Sequence, residues 1–217
     1  MIENGMTLRG AMAAAALVIA AATQAQTPAS AAGGERSSAP TPASELKGAA
    51  LLQALRRGGY VIYFRHTATD FSKRDDAMKS YDDCDNQRLL SPQGREDARR
   101  IGEAIRELKL PVGEVFASPM CRTMDHARLT FGRAPPRPEV ALRERGDGDY
   151  PGVVKQLTAP VRPGSIRWIV GHGNPFRAVA GAPHLAEGEA AVMRPDGRGW
   201  TVVARIAVTD WVELQRH

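Results

Sequence analysis

The period of the apolar positions changes repeatedly along the chain and marks out its elements. Leu46, Ala50, Leu51, Ala54 and Leu55 recur at helical spacing and stop at Gly58-Gly59, which predicts a helix beginning around residues 44–47. Tyr60-Val61-Ile62-Tyr63-Phe64 then runs apolar without a break, rich in the β-branched and aromatic types of a short buried strand. It ends abruptly on Arg65-His66-Thr67. Residues 67–90 are polar and turn-rich, a longer loop than compact domains usually carry without a purpose. Ser91-Pro92 opens the clearest helix, with Ser91 suited to the N-cap and Pro92 to the first helical position. Ala98, Ile101, Ala104, Ile105 and Leu108 form its apolar stripe against a charged opposite face.

Residues 114–118 and 165–170 predict two more strands, and residues 121–131 a helix between them. A Pro-rich break follows at 134–138, with short helices near 150–157 and 176–180. Residues 190–194 and 200–206 alternate as strands around Pro195-Asp196-Gly197-Arg198-Gly199, a hairpin signal. Strands alternating with helices predict an α/β fold, a three-layer α/β/α sandwich on a mainly parallel sheet.

Composition alters this picture mainly at the N-terminus. Arg9 precedes an Ala-rich apolar run over residues 11–22, and Thr23-Gln24-Ala25 supplies small residues at cleavage spacing. That order predicts a secretory signal peptide over residues 1–25, too short for a membrane span, and therefore an exported, periplasmic protein. Residues 26–44 are Ala, Pro, Ser, Thr and Gly with almost no large apolar side chain, the composition of a flexible linker. The folded domain is then residues 45–217, enough for one sizeable core. The formal net charge is +5. The arginines are scattered, the aromatic fraction is 6% and no zinc-finger spacing occurs, which argues against nucleic acid and for anionic substrates.

Three predicted strands share one design. The first ends in Arg65-His66, the second in Ser118-Pro119-Met120-Cys121-Arg122-Thr123, the third in Gly171-His172-Gly173. If the strands are parallel, two histidines and two arginines converge at the sheet edge where open α/β sheets bind ligands. Arginine pairs with phosphate in a bidentate fork at any pH, and a neutral imidazole is a competent nucleophile. His126, four residues beyond Arg122, reads as a surface or packing residue, and His184 and His217 carry no signal. No His-Glu-x-x-His or Cys-x-x-Cys spacing exists, so neither a metal site nor a cofactor is expected. Neither cysteine has an arginine six positions on, which disfavours a cysteine-nucleophile phosphate loop. In an exported protein, the pair Cys84 and Cys121 points to a disulfide tying the long loop to the segment of Arg122, with two free thiols as the alternative.

Phe64-Arg65-His66, then Leu90-Ser91-Pro92-Gln93-Gly94-Arg95-Glu96-Asp97-Ala98 with Ser118-Pro119-Met120-Cys121-Arg122-Thr123, and Val170-Gly171-His172-Gly173 together resemble the motifs of the histidine phosphatase superfamily, whose fold is that of phosphoglycerate mutase. The resemblance covers residues 60–206. It implies that His66 is the nucleophile of a phosphohistidine intermediate, that Arg65, Arg122 and His172 complete the phosphate pocket, and that the partner is a small phosphorylated substrate. Thr67 replaces the glycine usual after the histidine, and is expected to alter the turn and add a hydroxyl to the pocket. The family's proton donor is often the glutamate of a Leu-x-Glu segment, here Leu142-Arg143-Glu144; Glu187, Glu189 and Asp70 are the alternatives. Within the superfamily the chain resembles short exported bacterial members related to lipopolysaccharide core heptose phosphate phosphatases. That implies a metal-independent phosphomonoester hydrolase acting on an envelope sugar phosphate. A phosphohistidine-protein phosphatase and a non-catalytic phosphate-binding module are the other readings.

Overall fold

Residues 45–132, 134–143, 148 and 150–216 are described by a computed structural model; the predicted leader, the linker, Glu144 and His217 lie outside the described residues. In chain order the elements are α1 (Gly48–Arg57), β1 (Tyr60–Arg65), α2 (Pro92–Glu107), β2 (Val115–Ala117), α3 (Cys121–Phe131), β3 (Arg137–Pro138), α4 (Pro151–Thr158), β4 (Ile166–Gly171), α5 (Gly173–Ala180), β5 (Ala190–Pro195), β6 (Trp200–Ile206) and α6 (Asp210–Glu213). They build one six-stranded sheet in the order β3-β2-β4-β1-β5-β6. The four strands from β3 to β1 are parallel, while β5 pairs antiparallel with β1 and β6 antiparallel with β5.

Alternation along β1 divides the core, because successive side chains point to opposite faces of a sheet. Ile62 and Phe64 join Trp168, Val170 and Ala117 under helices α1, α2, α3 and α6. Val61 and Tyr63 join Ile169, Ala191 and Met193 under α4 and α5. The result is the predicted three-layer α/β/α arrangement.

Three details differ from the sequence pattern. Leu46 precedes α1 instead of starting it, because its N–H donates to the Val203 carbonyl of β6 (2.7 Å). Leu52 is buried in the helix and Ala50 faces solvent. The Pro-rich break holds the two-residue edge strand β3, where a proline costs no ladder bond that the sheet needs.

Parallel register sets the functional edge. Phe64 lies opposite Val170, Arg65 opposite Gly171, and Val170 opposite Ala117, so β1, β4 and β2 end at one level. The chain leaves each strand still bonded to its neighbour: the His66 N–H donates to the Gly171 carbonyl (3.0 Å) and the Ser118 N–H to the Val170 carbonyl (2.9 Å). Helix α2 docks beside this edge. Ser91 Oγ caps the Gly94 N–H (3.0 Å), the Ser91 N–H donates to the Ala68 carbonyl (3.0 Å), and a Cβ at Gly94 would collide with that carbonyl. The glycine after Ser91-Pro92-Gln93 therefore belongs with Arg65-His66 because it lets α2 approach the segment behind the histidine.

Candidate active site

His66 is 2% exposed and sits immediately beyond β1. Its Nδ1 lies 2.9 Å from the Thr67 carbonyl oxygen. A carbonyl only accepts, so Nδ1 carries the proton and Nε2 keeps its lone pair. Burial pushes the His66 pKa down to about 3; the bond to Thr67 works against that shift, and the nearby Arg122 and Arg65 reinforce it. The ring is therefore neutral at ordinary pH, with the unprotonated lone pair on Nε2.

His172 caps β4 from the second strand end. It is 1% exposed, and its ring meets that of His66 edge-on with centroids 5.5 Å apart. The Tyr63 hydroxyl lies 3.0 Å from both the His172 carbonyl and its N–H, donating to the first and accepting from the second, which fixes the backbone here. On the ring, Nε2 is 2.8 Å from Ser118 Oγ, while Nδ1 is buried without a partner. Burial holds the His172 pKa well below its usual value, followed in size by the charges of His66, Arg122, Arg88 and Arg65.

Two arginines act electrostatically on both rings, each with a carboxylate partner. Arg65 donates to the Leu185 carbonyl (2.9 Å) and lies 3.7 Å from Glu187 Oε1. Glu187 in turn accepts from Thr69 Oγ1 (2.9 Å). Arg122, 2% exposed in the first turn of α3, places Nη1 3.1 Å from both carboxylate oxygens of Asp75. Of the other carboxylates considered, Glu189 is turned away, bonded to Arg205 (2.6 and 2.8 Å). Asp70 is exposed and accepts from the Ser72 N–H (2.9 Å).

The long loop is tied to this site. Cys84 and Cys121 form a disulfide, with Cα atoms 5.8 Å apart, that fastens the loop to the start of α3 next to Arg122. Gln87 Oε1 accepts the Cys121 N–H beside it (2.9 Å). The loop also brings two residues that the sequence reading passed over, Asp75 and Arg88; the expected disulfide, one residue from Arg122, was the available signal that this loop reaches the pocket. His126 is fully buried, and its Nδ1 accepts the Thr67 N–H (3.1 Å). It thus fixes the residue that orients His66, a role beyond packing. Among the described residues no cluster of three or more His, Cys, Asp or Glu side chains could hold a metal ion, and no helix is long and apolar enough to cross a membrane.

A sheet edge with a neutral nucleophilic imidazole, a second buried imidazole and two guanidinium groups is equipped to bind a phosphoryl group and accept it on nitrogen. Comparison with known proteins agrees. The family model described as histidine phosphatase superfamily (branch 1) matches residues 61–192. Comparison with curated proteins finds no match. Among solved structures, the chain is similar to the protein histidine phosphatase SixA complexed with tungstate, at 15% identity and a TM-score of 0.50, covering 70% of this chain and 98% of that one. It is also similar to the mycobacterial glucosyl-3-phosphoglycerate phosphatase with inorganic phosphate, at 16% identity and a TM-score of 0.50, covering 70% and 99%. At these identities the structural likeness speaks for the fold.

Proposed function

The chain belongs to the histidine phosphatase superfamily, and from that premise we propose that it is a metal-independent phosphomonoester hydrolase acting through a phosphohistidine on His66. The observation that carries the reading is the His66 Nδ1–Thr67 carbonyl contact, which commits the proton to Nδ1 and leaves Nε2 free to attack phosphorus. Arg65 and Arg122 take the non-bridging oxygens, where charge redistributes during transfer. We assign Ser118 as the donor to Nε2 of His172, which leaves the ring N–H on the unpartnered Nδ1 to hydrogen-bond a phosphate oxygen. The P–O bond to the leaving group breaks as the P–N bond forms. Water then cleaves the P–N bond, releasing orthophosphate and neutral His66.

For the leaving-group proton we keep Glu144. Glu187 and Asp75, which contact the two arginines, are each engaged by a guanidinium. The residues leading to Glu144 are anchored at this edge, with Leu142 fully buried and Arg143 donating to the Tyr81 hydroxyl of the long loop (2.9 Å). The leader over residues 1–25 and the Cys84–Cys121 disulfide support export to an oxidising compartment, where an envelope sugar phosphate is the substrate class we favour. The test is hydrolysis of an aryl phosphate in the presence of a chelator, with acid-quenched protein assayed for phosphohistidine. Turnover lost in His66→Ala supports the reading. Orthophosphate binding without turnover in the parent would instead identify a non-catalytic module.

A further inference from the structure

Beyond the two arginines of the strand ends, the long loop delivers a third guanidinium to the same edge. Arg88 is held in place from both sides of its backbone: its N–H donates to Asp75 Oδ1 (2.8 Å), and its carbonyl lies 3.5 Å from Arg122 Nη1. Asp75 meanwhile bonds Arg122, so Arg88, Asp75 and Arg122 form one connected unit. The Arg88 guanidinium carbon stands 4.8 Å from the centre of the Phe71 ring, and its Nε is buried without a partner. A buried donor left unbonded is costly unless something absent from the free protein completes it. Arg88 also lines a cavity of about 360 Å³ with Phe71, Lys73, Arg74, Asp76 and Asp75, the partner of Arg122.

We infer that Arg88 is a third phosphate-binding arginine, contacting the transferring phosphoryl group at the junction between the phosphate pocket and this cavity. The inference rests on the phosphatase reading and extends it to a residue of the loop. Its position agrees with the electrostatics of His172, on which Arg88 acts together with Arg122 and Arg65. The loop's length gains a purpose in this arrangement. The disulfide at Cys84 and the Gln87 bond to the Cys121 N–H fix the residues just before Arg88 against α3, so its guanidinium is placed relative to Arg122 before substrate arrives. Phe71, 67% exposed, offers its ring to the Arg88 guanidinium and leaves the N–H edges of the fork for oxygen.

The experiment measures orthophosphate binding by titration calorimetry on the purified protein, together with kcat and KM for an aryl phosphate. Arg88→Ala should weaken orthophosphate binding by about 10- to 100-fold, the loss of a hydrogen bond to a charged group. Guanidinium ion added at millimolar concentration should restore part of its turnover, which it would not do for a residue that only supports the loop. Arg88→Lys, which keeps the charge and stem, should still lose several-fold because the fork is gone; it also serves if Arg88→Ala fails to fold. Phe71→Ala should change binding less than Arg88→Ala does. If the parent binds orthophosphate and Arg88→Ala and Arg88→Lys bind it equally well, the inference is overturned and the phosphatase reading stands. A parent that neither binds orthophosphate nor turns over overturns both.

Discussion

Acid should destabilise this domain well before its carboxylates protonate. His66 and His126 have pKa values near 3 and His172 lies well below the usual imidazole value, with burial as the leading cause in each case. All three rings are 2% exposed or less. The sign follows from linkage. A depressed folded-state pKa means that below about 6.5 the unfolded chain binds protons that the folded one refuses. Stability is then complete above that pH and falls as pH drops through the window between the unfolded and folded values. At pH 5.5 each such histidine contributes a loss of about RT ln 11, or roughly 1.4 kcal/mol, and three together about 4 kcal/mol, a large part of the 5–15 kcal/mol typical of a domain. Asp70, Asp196 and Glu189 also have lowered pKa values, but their contribution is lost only below the ordinary carboxylate range. Urea unfolding followed by the fluorescence of buried Trp168 and Trp211, compared at pH 7.5 and 5.5 without phosphate, isolates the histidines. His126→Asn should recover about a third of the loss if the variant folds, since an amide oxygen can still accept the Thr67 N–H. A difference below about 1 kcal/mol between the two pH values would show that the folded state protonates these rings, and the argument for a neutral nucleophile would fail with it.

Two further outcomes test the surroundings of the site. Cys84 and Cys121 lie 37 residues apart, so Cys84→Ser with Cys121→Ser should cost about 4 kcal/mol by the loop-entropy relation and lower the melting temperature by roughly 10 °C; a shift under about 2 °C in calorimetry would show that the loop is held without the bond. Glu144→Gln should slow alkyl phosphates at least about 100-fold while sparing aryl phosphates with acidic leaving groups. Equal losses on both substrate types would remove Glu144 from the proton-donor role, and Glu187→Gln is then the variant to run.

The apolar periods were enough to locate the strand ends, because each buried strand stops where the first polar residue meets the sheet edge: Arg65 after Phe64, Ser118 after Ala117, His172 after Gly171. Parallel register, which a sequence does not display, then brings those ends to one level. The long loop was legible only as a loop. Asp75 and Arg88 have no periodic neighbours, and their approach to Arg122 depends on the fold of some twenty irregular residues and on the Cys84–Cys121 bond. His126 was half legible. Its place four residues beyond Arg122 suggested a shared helical face, but the partner it serves, the Thr67 N–H, comes from the segment that follows β1 and is 59 residues away.

Thr67 shows how the site accommodates a departure from the family pattern. Its backbone avoids the left-handed region, so no glycine is demanded there by conformation. Both of its backbone groups are used in a way that any residue could supply: the N–H goes to His126 Nδ1 and the carbonyl takes the His66 Nδ1 proton. What a side chain at this position requires is room, and Gly188 provides it. Gly188 has φ +80°, donates its N–H to the carbonyls of Arg65 (3.2 Å) and His66 (2.9 Å), and would bring a Cβ to 3.3 Å from Thr67 Cγ2 and into Val208. The Thr67 methyl therefore packs where Gly188 has no side chain, and its hydroxyl is buried without a partner among the described residues. The orientation of His66 rests on the Thr67 carbonyl, a backbone group that any residue at position 67 would supply, and so survives the threonine.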